Sequence, residues 1–292
     1  MKFTVGYQRN PAWIDAVVDR REGIYEFYFA FGAMQSGRKA VAGTDSQLED
    51  LARVADAGIA LNLLFNANCN GARALSKSFF AEVGETCERF AADGALRSVT
   101  TTSPLVAKFV KDNFPALRTR ASVNMEIGTV EGMEYLADVF DSFYLRRELN
   151  RDLAAVRRLK TWCDDHGKEL FLLANSGCLN NCSSHVFHDN LVAHEAEIAR
   201  EDNGYSYNGT CWQWLAKREN RAKWRDRTNF IPPERVRDYE GLCTAMKLAT
   251  RVNAHPARIL ESYLTGSAFC DVRALLEPDH SALFLNDSKE TC

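Results

Sequence analysis

The chain reads as a TIM-type (β/α)8 barrel, irregular in one place. Short apolar runs alternate with longer amphipathic stretches, about eight such runs recur, and 292 residues suit that number of strand and helix repeats. A run that is apolar on consecutive residues, rather than on every second one, is the pattern of a parallel strand covered on both sides.

The runs fall at residues 3–7, 25–32, 60–65, 96–102, 118–127, 142–149, 169–175 and 245–250. Helical periodicity fills the gaps. In 47–57, Leu48, Leu51 and Val54 share one face, and 75–93, 104–113, 130–140 and 152–166 show the same spacing. The rhythm breaks after the seventh strand, where about 70 residues separate Asn175 from Ala245. Residues 1–292 are therefore read as one barrel domain, with 176–244 as an insertion that holds Cys178, Cys182, Cys211 and three of the six histidines. Loops at the carboxyl ends of barrel strands form the active face, so position alone makes this insertion a site.

Composition narrows the function. With 46% hydrophobic and 26% charged residues the chain can bury a large core, and a net charge of -3 excludes a strongly basic nucleic-acid surface over the whole chain. No apolar run approaches the roughly 20 residues of a membrane span. Met1-Lys2-Phe3-Thr4 leads into a strand rather than a signal peptide, so a cytoplasmic location is expected. Nine cysteines, an odd number, then read as thiols or metal ligands rather than a disulfide framework.

The densest sulfur and polar cluster is Cys178-Leu179-Asn180-Asn181-Cys182, followed by His185 and His188. Two thiolates four residues apart can face one centre from a tight turn, and Cys211, beside Gly209, supplies a third. Soft sulfur ligands select an iron–sulfur cluster or zinc, and the spacing departs from the paired CxxC of a zinc ribbon. Each thiol could instead be a small buried hydrophobe.

Several motifs together resemble peptidase family U32, the collagenase-like peptidases, which include proteins of oxygen-independent ubiquinone and RNA hydroxylation. They are Arg147-Glu148-Leu149, the stretch 175–182 followed by His188 and Asn190, Ile231-Pro232-Pro233-Glu234, and Lys247-Leu248-Ala249-Thr250-Arg251. The resemblance spans most of the barrel. It implies an α/β barrel carrying a 4Fe-4S cluster on four cysteines, three of them matched by Cys178, Cys182 and Cys211.

The fourth ligand has to reach the same end of the barrel. Cys69, just after the third strand, is the best placed; Cys243 precedes the eighth strand and belongs at the opposite end. Cys87 and Cys163 fall in helical patterns as packing residues, and Cys270 and Cys292 follow the last strand. Arg147, Glu148, His188 and Arg251 are the candidate catalytic residues. Guanidinium forks bind carboxylate or phosphate, and Glu126 and Glu148 offer acid–base groups, although a salt-bridge network at the mouth would use the same residues.

Two signals carry less. Residues 32–38 lack the Gly-Lys-Ser/Thr ending of a phosphate loop. The stretch from Trp212 to Arg225 interleaves aromatic and basic residues as an RNA-stacking surface would, but a solvated amphipathic helix covering the insertion is the simpler reading. The expected function is an iron–sulfur enzyme of oxygen-independent hydroxylation or related redox group transfer, acting on a small aromatic molecule or an RNA base. The alternatives are a metal-containing peptidase, for which no HExxH helix or nucleophile elbow is present, and a non-catalytic subunit working with a partner of the same family.

Overall fold

Alternation of side chains along each strand decides what fills the barrel. In the computed structural model, which describes residues 1–32, 36–37, 44–268 and 271–284, the described strands close into a parallel barrel in chain order. They are β1 (Phe3–Gly6), β2 (Ile24–Phe29), β3 (Ala60–Phe65), β4 (Leu96–Thr101), β5 (Arg118–Ala121), β6 (Ser142–Tyr144), β7 (Glu169–Leu173) and β8 (Ala245–Lys247). β1 and β8 seal the ring, with Phe3 opposite Met246 and Thr4 opposite Lys247.

The outward residues Phe27, Phe29, Leu61, Leu63, Val99, Phe143, Leu170 and Leu172 join the main apolar core. There they meet helices α1 (Pro11–Asp19), α2 (Asp45–Asp56), α3 (Lys77–Ala91), α4 (Pro104–Asn113), α5 (Val130–Glu134) and α6 (Leu153–Asp165). The helix starts follow from local chemistry. Ser103 accepts from the Val106 N–H at 3.3 Å just before Pro104, a cap worth about 1 kcal/mol beside a proline that suits the first turn.

The inward residues alternate with these and are strongly polar in the lower half. Glu26 and Arg120 form an ion pair, each side chain 1% exposed. Ser98 donates to Glu26 at 3.0 Å, the Arg120 Nε donates to Ser142 at 3.0 Å, and the guanidinium lies 3.8 Å from the centre of the Phe171 ring. Above them Tyr28, Tyr144 and Lys247 mark the floor of the open end, the Lys247 ammonium 4.2 Å from the Tyr28 ring centre.

Three expected boundaries move. The runs 118–127 and 142–149 stop as strands at Ala121 and Tyr144 and continue as single 3-10 turns, Val123–Met125 and Arg147–Leu149. Ser122 accepts from the Asn124 N–H and Glu126 takes φ 55, which turns the chain out of the sheet. The helix at 130–140 ends at Glu134 and goes on in tight turns, with Leu136 N–H bonded to Met133 and Ala137 N–H to Glu134.

The insertion contains α7 (His185–Ala193), α8 (Glu195–Ile198), α9 (Thr210–Ala216), α10 (Arg218–Arg221) and α11 (Trp224–Arg227). The basic and aromatic stretch is thus three short helices instead of one. The side chains of Asn220 and Arg221 donate to the carbonyls of Trp214 and Leu215, which a continuous helix would have used itself. α12 (Pro256–Thr265) follows β8. No described helix is long and apolar enough to cross a membrane.

Candidate functional site at the carboxyl end of the barrel

Several strand ends and two helices of the insertion line one cavity over the barrel mouth. After β5 comes Asn124; after β6, Arg147; after β7, Cys178; from α7, His188 and Asp189; from α9, Cys211; from and after β8, Lys247 and Arg251, while Glu126 pairs with Arg147 from outside this lining. Residues expected from sequence as separate candidates, Arg147, His188, Arg251, Cys178 and Cys211, line this one cavity.

The loop after β7 is held in place by hydrogen bonds to main-chain groups just after β8 and at residues 275–277. Asn175 accepts from the Ala249 N–H at 2.7 Å and donates to the Leu275 carbonyl at 2.9 Å. Gly177 N–H donates to Glu277, and a Cβ on Gly177 would stand 2.5 Å from the Pro278 carbonyl oxygen, so no other residue fits there. Asn181, at φ 56, turns the chain back between Cys178 and Cys182, and the Cys182 carbonyl accepts from the His185 N–H at the start of α7.

Arg147 is the hub. Its Nη1 lies 3.1 Å from Glu126 Oε1, its Nη2 donates to Asn124 Oδ1 at 2.7 Å and lies 3.8 Å from Asp189 Oδ2, and it packs against the ring of His185. Burial works against its charge, but Cys178, Asp189 and Glu126 outweigh that and hold the guanidinium above its ordinary range. The same burial pushes the Glu126 carboxyl up to about 7, with Arg147 pulling the other way, and pushes His185 down to about 4, with Arg147 adding to it. A carboxyl near neutrality beside an imidazole that stays uncharged is an acid–base pair suited to moving a proton.

The three insertion cysteines differ. Cys211 is buried, and burial together with the nearby Cys178 and Cys182 pushes its thiol up to about 12. Cys178 and Cys182 are half-buried. The Cys211 sulfur and the His188 ring both approach Gly209, each within 3.4 Å of where its Cβ would stand. Among the described residues, the one group of three metal-ligating side chains whose atoms lie within 4.8 Å of one another is Glu126, Glu148 and His185, not the cysteines.

Other expectations fall elsewhere. Glu148 pairs with Arg146 at 3.2 Å, outside the cavity lining. Cys69 accepts the Gly71 N–H at 3.3 Å and is absent from the cavity lining, to which the loop after β3 contributes Asn66. Cys87, Cys163 and Cys243 are buried, their thiols pushed up to about 12 by desolvation. Cys270 and Cys292 lie outside the described residues, as do 33–35 and Arg38 of the glycine-bounded stretch. Sequence reading missed Asp189, although it stands four residues from His185 and next to His188 on one helical face. Lys247 was visible as part of a motif, but its inward direction depends on the register of β8.

A parallel eight-stranded barrel with a cationic, sulfur-lined cavity at the carboxyl ends of its strands is a TIM-type barrel with its site on the usual face. The chain is similar to the U32 peptidase Mk0906, with a TM-score of 0.56 and 16% identity over 71% of this chain and 82% of that one. Weaker likenesses are to phosphoribosyl anthranilate isomerase from Thermus thermophilus (TM-score 0.45, 12% identity, 91% and 98% covered) and a chitinase from Rhizomucor miehei (0.46, 12%, 91% and 100%). No family model and no curated protein matches the chain. At such identities the likeness is one of fold.

Proposed function

We propose that the chain is a U32-like iron–sulfur protein whose cluster is held at the barrel mouth by Cys178, Cys182 and Cys211, and which carries out redox group transfer on a small aromatic molecule or RNA base. The observation that carries this is the convergence of Cys178 and Cys211 on the cavity that Arg147, His188, Lys247 and Arg251 also line.

Thiolate ligands suit an iron–sulfur cluster or zinc, and the motif resemblance favours the cluster. Metal binding would take the proton from Cys211, so loading becomes easier as pH rises. The buried cations Arg147 and Lys247 complement the negative charge of a thiolate-ligated centre.

The cluster would supply electron transfer or substrate activation. The protein's own residues would do the rest: Lys247 and Arg251 orient an anionic group of the substrate, and Glu126, behind Arg147, holds a proton at its carboxyl with His185 3.4 Å away to relay it. Hydroxylation without oxygen is the chemistry that the motif resemblance implies.

Anaerobic purification with iron, acid-labile sulfide and visible absorption measurements tests the reading. Iron and sulfide in near-equal amounts are expected, with loss of colour in Cys178→Ala, Cys182→Ala and Cys211→Ala. Colourless, iron-free protein overturns it, and one equivalent of zinc moves the site to a structural metal.

A second reading, hydrolysis of peptides at a divalent metal, draws on the Glu126, Glu148 and His185 group and on the peptidase likeness. Against it, Arg147 already places a cation 3.1 Å from Glu126 and against His185. Peptide cleavage that depends on added metal would favour it. A chain that turns over substrate alone argues against a purely accessory role.

A further inference from the structure

Cys178, Cys182 and Cys211 leave one position of a four-thiolate set to fill, and the cavity lining restricts what can fill it. Among the described residues, the other metal-ligating side chains of that lining are His188, Asp189 and Glu277. The two carboxylates are hard donors that suit magnesium or calcium better than a sulfur-ligated iron. Asp189 is besides engaged with Arg147 at 3.8 Å and with His185 at 3.4 Å. Imidazole is the donor that iron accepts beside thiolate, in clusters where histidine takes the place of cysteine. Cys69 is absent from the lining, and Cys87, Cys163 and Cys243 belong to the apolar core.

Local geometry brings His188 to the cysteines. The Cys211 sulfur and His188 Cε1 each lie 3.4 Å from the point where a Cβ on Gly209 would stand. Gly209 has φ +93, which glycine adopts without strain, so the chain leaves open between sulfur and imidazole the space that a side chain would take. On the other side, the Cys182 carbonyl accepts the His185 N–H at 3.1 Å where α7 begins, and His188 follows within the same helix.

The neighbours of these residues are bonded to one another. Thr210, next to Cys211, donates to Ser184 Oγ at 2.8 Å, two residues after Cys182. The Tyr207 hydroxyl is bonded to Thr210 Oγ1 at 2.9 Å, and the Tyr207 ring stands edge-on to His188 with centroids 5.7 Å apart. Contacts of this outer kind fix the orientation of a ligating imidazole.

We propose that His188 is the fourth ligand, so that the centre at the barrel mouth is held by three thiolates and one imidazole. The proposal rests on the cluster reading above and names the residue that completes it. A neutral imidazole in place of a thiolate takes one negative charge from the centre, which makes it easier to reduce. The iron that His188 holds also differs from those held by sulfur.

The test uses the full chain purified without oxygen and reduced with dithionite, with pulsed electron paramagnetic resonance, iron and sulfide analysis, and a potentiometric titration. The coupling of a directly bound imidazole nitrogen is expected, and it should change when the histidines alone carry nitrogen-15. His188→Ala should lose that coupling and, on mild oxidation, about a quarter of the iron. His188→Cys should keep the iron, lose the nitrogen coupling and shift the midpoint potential down; Cys69→Ala should keep both the coupling and the iron. Circular dichroism checks that the variants remain folded. An iron–sulfur cluster without nitrogen coupling, or with a coupling that survives in His188→Ala, overturns the proposal and leaves the cluster standing. So does loss of the cluster in Cys69→Ala when His188→Ala retains it. Iron-free protein removes the cluster and its fourth ligand together. Bound zinc with mixed nitrogen and sulfur neighbours in X-ray absorption, the nitrogen lost in His188→Ala, sinks the cluster and keeps the ligand set.

Discussion

Two glutamate–arginine pairs stand at different depths of the same barrel. Glu26 and Arg120 are sealed, 1% exposed each, and the polar atoms around them are serines and an aromatic face that cannot change charge near neutrality. Glu126 and Arg147 are at the mouth, Glu126 a quarter exposed, and their neighbours are His185, Asp189 and a cysteine. The same two residue types are scaffold where every partner has a fixed charge, and chemistry where the partners titrate.

The largest effect should come from breaking the deep pair. Glu26→Gln leaves a buried guanidinium uncompensated and should cost about 3–5 kcal/mol in urea unfolding, while replacing both residues with apolar ones of like volume should recover most of it. A cost below about 1 kcal/mol would remove the contrast between the pairs.

Glu126→Gln should sharpen the contrast through its pH dependence. The folded carboxyl is raised from 4.5 to about 7, so its contribution is fully present below pH 4.5 and is lost as pH rises through 7. The variant should therefore gain on the unsubstituted protein by on the order of 2 kcal/mol between pH 5 and pH 8. A flat difference across that range would mean that the carboxyl is ionised throughout.

His185→Gln should show a smaller effect of opposite sense. The imidazole is depressed from 6.5 to about 4, so burying it neutral favours the fold above pH 6.5, and that contribution is lost as pH falls toward 4. The variant should lose about 1 kcal/mol less than the unsubstituted protein between pH 8 and pH 5.5. An equal loss would place the proton elsewhere.

The barrel was legible because its signal is local: eight apolar runs, and helix starts such as Ser103-Pro104, survive in any reading of the sequence. The strand ends were not, because Ser122 and Glu126 turn the chain through one hydrogen bond and one left-handed residue inside an apolar stretch. Of the site, Cys178, Cys211, His188, Arg147 and Arg251 were visible by residue type and loop position. The approach of His194 to the turn at Gly71 was not, since no periodicity joins positions that far apart. Lys247 was visible only as a motif letter, because a short strand does not declare which of its residues points inward.

The bonds between the cysteine loop and residues 275–278 also set a schedule. Asn175 waits for Leu275, 100 residues further along the chain, roughly 5–20 s of synthesis at ordinary rates. Until then the loop bearing Cys178 and Cys182 lacks its latch, although β8 has already been made. During that interval the loop has only its bond to Ala249 of the two that hold Asn175, so the barrel mouth is the last part of the fold to be fixed.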